Sequence, residues 1–333
     1  MQATTKSPTK LLIIGASGYI GGAVLAKFLE PSQAGKWDIT ALVRKEEYIP
    51  KLKELGVKTL IGTLDSTEVL IKAASEVDAV LNLADSDHLS GVKAVIEGLN
   101  KSQGKRIFIQ TSGSDKIVDD ARGEFASEKI YSDLDIEEIR ALPSSMPHHE
   151  VDTFIFESSG AVQSIIVCPP TIYGISKGPF NNISQQVPGL IKAFIQFGYT
   201  ATIGNGSNIW NNVHVNDLAS FYLLLLEKAL VGEASVGKEG FYFCESGEHV
   251  WKDVVAKIAE ELNKRKIIQQ EEVGKYTTEE VDQYFGMLGW VFIASNSRSR
   301  ADRARKLGWK VDGSNGSILD CIGGEIEAIL AKQ

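Results

Sequence analysis

Between Leu11 and about Pro170, short runs rich in Val, Ile and Leu alternate with longer stretches in which apolar residues recur at helical spacing. The short runs predict strands at Leu11–Ile14, Asp38–Val43, Lys58–Ile61, Ala79–Leu83, Arg106–Gln110 and Ser164–Val167. Several are apolar on successive residues, which is the mark of strands covered on both faces. The longer stretches predict helices near Tyr19–Leu29, Tyr48–Leu55, Thr67–Ala74, Leu89–Lys101 and Glu150–Ser159. Strand and helix in strict alternation imply a parallel sheet with helices on both sides, an α/β architecture.

Past Pro170 the pattern loosens. Gly and Asn crowd Gly174–Asn182 and Gly204–Asn212, and a helix at Asp217–Leu230 and a strand at Gly240–Cys244 follow. Further helices are expected near Trp251–Asn263, Thr278–Phe285, Arg300–Leu307 and Ser317–Ala331. The division this suggests is a dinucleotide-binding core over residues 1–170, rejoined by residues 213–244. Residues 171–212 and 245–333 would then form a smaller C-terminal substrate lobe over the carboxyl edge of the sheet.

The first strand runs straight into Gly15-Ala16-Ser17-Gly18-Tyr19-Ile20-Gly21 and an Ala- and Leu-rich helix. Strand, glycine turn and helix in that order are the setting in which such a motif binds a dinucleotide. Gly15 permits the tight turn, Gly18 lets backbone approach a pyrophosphate, and Gly21 lets the helix lie close to the strand. The free N–H groups at the helix start then face the anion, and the fold class is a Rossmann-type, doubly wound parallel sheet. At the end of the second strand, where an NAD-preferring site carries an acid, the chain reads Ala41-Leu42-Val43-Arg44-Lys45. A carboxylate about 4 Å from a 2′-phosphate would cost roughly 4 kcal/mol at an effective dielectric near 20, whereas Arg44 gains by bonding it. NADP is the favoured cofactor and NAD the second choice, with Lys45 beside Arg44 as a further contact.

With 333 residues, 43% of them hydrophobic and 23% charged, the composition is that of a folded protein. A formal charge of −8 without a local Lys/Arg block argues against nucleic acid. The apolar run after the polar start is broken at Gly15, so neither a signal-peptide core nor a membrane span is expected. Cys168, Cys244 and Cys321 are far apart and lack metal-ligand spacing, which suits a reducing, cytoplasmic setting and gives no metal site. The expected partner is a small-molecule substrate, and the chain is expected to be a monomer or homodimer.

At this point the chain resembles the extended short-chain dehydrogenase/reductases over nearly its whole length. It looks closest to atypical members described as NAD-dependent epimerase/dehydratase-like or NmrA-like, many of them fungal. The resemblance places Leu83 and Ala84 along the cofactor, at the end of the strand within Asp78–Ala84, and Thr63 and Leu64 beside the adenine. It sets Thr111 and Ser112, in Phe108-Ile-Gln-Thr-Ser-Gly113, beside nicotinamide and substrate, with Ser112 as the catalytic serine. Cys168-Pro169-Pro170-Thr171-Ile172-Tyr173-Gly174 is similar to a segment that touches the nicotinamide, with Cys168 in place of an arginine. That implicates Pro169, Pro170 and Thr171 in cofactor contact and Tyr173 in the pocket wall. Val213–Ala219, where Asp217 can cap helix N–H groups, and Leu307-Gly308-Trp309 resemble structural elements of the family.

Members that transfer hydride use a Tyr-x-x-x-Lys pair, in which the lysine lowers the tyrosine's pKa. This chain has Ser144 near the tyrosine position and His148 near the lysine position. Tyr173-Gly-Ile-Ser-Lys177 matches the pattern in letters but follows one strand too late. Tyr131, His148 and His149 are therefore the substitute proton donors, since histidine titrates in the useful range. Trp210, set among Asn208, Asn211 and Asn212, is the candidate pocket aromatic. Three readings follow, the first two being an NADPH-dependent reductase of a carbonyl or imine and a cofactor-sensing regulator or scaffold without chemistry. An epimerase or lyase that keeps its NAD(P) bound is a third.

Overall fold

The computed structural model describes residues 7–158, 162–270 and 272–332. Seven strands make the central sheet: β1 (Thr9–Ile14), β2 (Trp37–Val43), β3 (Lys58–Ile61), β4 (Ala79–Asn82), β5 (Arg106–Thr111), β6 (Val162–Cys168) and β7 (Phe241–Phe243). Their spatial order is β7-β6-β5-β4-β1-β2-β3, every neighbouring pair parallel. The connections therefore reverse direction between β1 and β4, which opens a crevice at the carboxyl ends of those two strands. Residues Leu11 to Ile14 and Ala79 to Asn82 are all buried, as strands sandwiched between two helix layers must be. One layer pairs α1 (Tyr19–Phe28) with the helix Val215–Leu230, and the other pairs Thr67–Ser75 with Leu89–Asn100.

A second core gathers Trp210, Trp251, Phe194, Ile258, Ile322 and their neighbours. It is framed by Ile209–His214, which pairs parallel with Thr171–Tyr173 and antiparallel with Gly247–Val250. Helices Gln186–Phe197, Trp251–Lys264 and Ile318–Leu330 close it. The last begins at a capping box in which Ser317 and Asp320 satisfy each other's backbone N–H.

The elements depart from expectation in instructive places. The helix expected over Tyr48–Leu55 starts at Ile49, after a short 3-10 turn, with Pro50 in its first turn. The helix expected over Glu150–Ser159 runs His149–Glu157, and Ser159 lies outside the described residues. Gln186–Phe197 had no sequence forecast, because Pro188 and Gly189 interrupt its opening turn. Ala301, Ala304 and Trp309, placed with the substrate lobe by a boundary at residue 245, pack instead into the first core. The reason is polar as much as apolar: Trp309 Nε1 donates to the Asp217 carbonyl at 3.2 Å, and the Asp312 amide donates to the Asp217 carboxylate at 2.8 Å. Asp217 therefore does not cap its helix; His214 does, its Nδ1 accepting from the Asn216 amide at 3.1 Å.

Candidate functional site

The carboxyl edge of the sheet opens into a cleft of about 1250 Å³ between the two cores. At its centre is the glycine turn. Gly15 has φ of +91°, and a Cβ there would lie 2.8 Å from the Leu83 carbonyl carbon, so β4 and the turn meet backbone to backbone. The Gly18 amide closes the turn on the Gly15 carbonyl at 2.9 Å, and α1 begins at the next residue with no side chain capping it. The first amides of α1 are thereby left for a ligand, and the closely apposed glycines keep the space clear: the chain fits a dinucleotide's phosphates here.

Gly15, Ser17, Gly18, Tyr19 and Ile20 all line the cleft, whereas Gly21 is buried on the inner face of α1, where its missing Cβ lets the helix lie on Gly15. On the β2–β3 side the lining is Arg44, Thr63, Leu64 and Asp65. Arg44 is exposed and has no ion pair among the described residues. Lys45 does not line the cleft; it pairs with Glu47 at 3.1 Å and rests over the Tyr48 ring. Leu83, Ala84, Thr111, Pro169 and Pro170 line the stretch beyond the turn. Thr171 does not, being fully buried beside Ile172, which does.

Tyr19 ties the turn to the second core. Its hydroxyl donates to the Gly174 carbonyl at 2.6 Å, and the Gly174 amide donates to Glu325 Oε1 at 2.8 Å from the last helix. Burial drives the Tyr19 phenol well above its ordinary pKa, so it stays a donor. Burial likewise pushes the Glu325 carboxyl up to about 7, and its Oε2 has no hydrogen-bond partner among the described residues.

The far end of the cleft holds a chain of ionisable groups. Thr111 faces inward: its hydroxyl donates to the Asn82 carbonyl at 2.9 Å and accepts from Tyr222 at 2.7 Å. Ser112 donates its hydroxyl proton to Asp152 Oδ2 at 2.8 Å, and Lys116 meets the same oxygen at 2.5 Å. Lys116 and Asp152 are almost wholly buried, with the ammonium over the Phe241 ring. Such a pair holds only because each partner compensates the other.

Beside it His148 lies between two carboxylates, Nε2 at 2.8 Å from Asp115 and Nδ1 at 2.8 Å from Asp87. A carboxylate at each nitrogen requires a proton on both, so the ring is an imidazolium. Burial opposes that charge, but hydrogen bonds and attraction from Asp115 and Asp87 outweigh it and raise the pKa to about 9. His148 adopts φ of +63°, a left-handed conformation that costs a non-glycine residue energy and recurs where side chains are held for function. Gly113 leaves the needed room: a Cβ there would be 2.8 Å from His148 Nε2.

Ser112 and His148 thus meet in the cleft, together with Gly113, Ser114 and Asp115. The other proposed donors do not join them. Tyr131 pairs with Ser299 in a short parallel bridge, its ring under Lys129, and does not line the cleft. His149 starts the helix and faces elsewhere, and Ser144 is exposed. Tyr173 is buried in the second core, its hydroxyl on the Gly316 carbonyl at 2.9 Å, while Trp210 reaches the cleft wall with Nε1 on the Ser295 carbonyl. Asp87, Asp115, Lys116 and Asp152 had no role in the sequence reading. The one local signal was Ser112-Gly-Ser-Asp115-Lys116, an acid and a base three and four residues after the serine.

Residues 15–180 match the profile of the family described as NAD(P)H-binding. The first half of the chain is an NAD(P)H-binding domain. Over nine-tenths of its length the NAD(P)H-binding protein is similar to Oxidase ucsJ of an Acremonium species, 28% identical across 90% of this chain and 92% of that one. Solved epimerases and reductases share its fold. UDP-glucuronic acid 4-epimerase from Bacillus cereus, solved with UDP-glucuronic acid and NAD, superposes with a TM-score of 0.65 at 13% identity, covering 97% of this chain and all of that one. Vestitone reductase from alfalfa superposes with a TM-score of 0.60 at 14% identity, covering 97% and 99%. No helix among the described residues is long and apolar enough to cross a membrane.

Proposed function

We propose that this NAD(P)H-binding protein is a hydride-transferring oxidoreductase that reduces a carbonyl or imine of a small organic molecule, with NADP(H) as its preferred cofactor. The observation that carries this is the continuity of the cleft from the glycine turn to Ser112 and the His148 imidazolium. The bound cofactor supplies the hydride. The chain's own residues do the rest: α1 amides hold the phosphates, Leu83, Ala84, Pro169 and Pro170 form the walls, and aromatic side chains of the lobe exclude water. His148 is the group at the reacting end that can release a proton, through exposed Asp87, while buried Asp115 keeps the ring in place. The names of the plant reductase and the fungal oxidase agree with hydride chemistry in this fold.

The preference for NADP rests on Arg44, exposed on the cleft wall just past β2, with Val43 at the strand end where an NAD-preferring site carries its acid. The deciding experiment follows NADPH absorbance against aldehydes, ketones and imines, with Ser112→Ala and His148→Ala beside the unaltered protein. Turnover that falls by about a hundredfold or more in both variants is expected. Tight NADPH binding with no consumption of any substrate would instead make the protein a sensor of the nucleotide.

A further inference from the structure

We propose that the substrate is an iminium ion, the cationic C=N⁺ form of an imine, carried on an apolar ring system; this rests on the hydride-transfer reading above. Three features of the reacting end lead there.

The first is charge. Asp87 and Asp115 flank one imidazolium, leaving one negative charge in excess, and the adjacent Lys116 and Asp152 cancel each other. The remaining charged groups on the cleft wall are Arg44 and Asp65 near β2 and β3, Asp85, and exposed Lys192 on the helix Gln186–Phe197, and Asp65 is hydrogen-bonded to His88. A cation entering beside Ser112 and Asp115 meets an attractive field in a partly buried site, where such attraction is worth more than in water.

The second is the direction of the hydrogen bonds. Ser112 gives its proton to Asp152, Thr111 gives its proton to the Asn82 carbonyl, and both N–H groups of His148 point at carboxylates. What Ser112 and Asp115 present to a substrate is lone pairs. The oxyanion formed from a ketone needs donors already aimed at it, and His148 can become one only by giving up its bond to Asp87 or Asp115. An iminium carbon needs none: the incoming hydride brings both electrons of the new C–H bond, and the C=N π pair returns to nitrogen as a lone pair. The substrate is reduced, the nicotinamide is oxidised, and no proton is consumed.

The third is the aromatic part of the cleft lining. Phe197 stacks on Tyr284 with centroids 3.8 Å apart and planes 22° from parallel, and Trp210 packs against Phe292 at 6.1 Å. All four line the cleft, and the faces of aromatic rings attract organic cations.

The test uses the full chain saturated with NADPH and three bicyclic probes: an N-methyl dihydroisoquinolinium salt, neutral tetralone, and N,N-dimethyl tetrahydroisoquinolinium, a cation with no electrophilic carbon. Calorimetry should show the inert cation binding about tenfold more tightly than tetralone, a preference that collapses in Asp115→Asn and shrinks in Asp87→Asn. NADPH oxidation above the protein-free rate should follow the iminium salt. Asp87 is exposed and its replacement leaves the fold intact, so a loss of preference there cannot be blamed on unfolding. Reduction of tetralone with neither cation bound would overturn the iminium assignment and leave the hydride-transfer reading standing. Consumption of neither electrophile, with NADPH bound, would overturn that reading and the iminium proposal with it.

Discussion

The two ends of the cleft are built from different materials. At the phosphate end the contacts are backbone: Gly15 against Leu83, Gly18 on the Gly15 carbonyl, and uncapped amides opening α1. At the reacting end they are side chains in ionic contact, Ser112–Asp152–Lys116 and Asp87–His148–Asp115. A backbone site tolerates no added atoms but carries no charge of its own, whereas the ionic site depends on each partner staying in its protonation state. The two ends should therefore fail in different ways.

The largest effect belongs to the ionic end. Lys116→Met leaves Asp152 as an uncompensated buried charge and should lower unfolding free energy by about 3–5 kcal/mol, read from denaturant melts. Adding Asp152→Leu to that variant should recover most of the loss; no recovery would mean that Lys116 acts by packing on Phe241 alone. At the phosphate end, Gly15→Ala forces a side chain into left-handed backbone against Leu83, and NADPH affinity should drop by about a hundredfold in calorimetry.

A smaller effect separates the ends by pH. The pKa of His148 is raised by folding, so the proton it binds stabilises the native state fully below about 6.5, and that contribution is lost as pH rises through about 9. Asp133 and Glu325, raised to about 7 by burial, lose their contributions in the same direction at lower pH. The difference between the unaltered protein and His148→Gln isolates the histidine and should amount to on the order of 2 kcal/mol between pH 6 and 10. A pH-independent difference would show that the ring is not held as a cation. The smallest expected effect is Arg44→Ala, which should weaken NADPH by about tenfold and leave NADH nearly unchanged.

Legibility in the sequence followed the same division. The glycine turn could be read because one local stretch carries strand, turn and helix, and the buried strands could be read because they carry apolar residues in succession, as at Leu11–Ile14 and Ala79–Leu81. The ionic end could not, since His148 is 33 residues from Asp115 and 61 from Asp87, and only the fold brings them together. Tyr131 and His149 had the right chemistry on the wrong side of their elements, which no spacing rule reports. Tyr173 failed for a related reason: a three-residue strand turns its phenol under the second core, toward Gly316.

The short path from Tyr19 through Gly174 to Glu325 has a consequence for the far terminus. Occupancy at the start of α1 and the docking of the final helix are linked quantities, so each must stabilise the other by the same amount. Saturating nucleotide should slow proteolytic clipping within Ile318–Leu330, and a chain shortened before Ile318 should hold its nucleotide loosely even though none of the missing residues lies in the phosphate cradle.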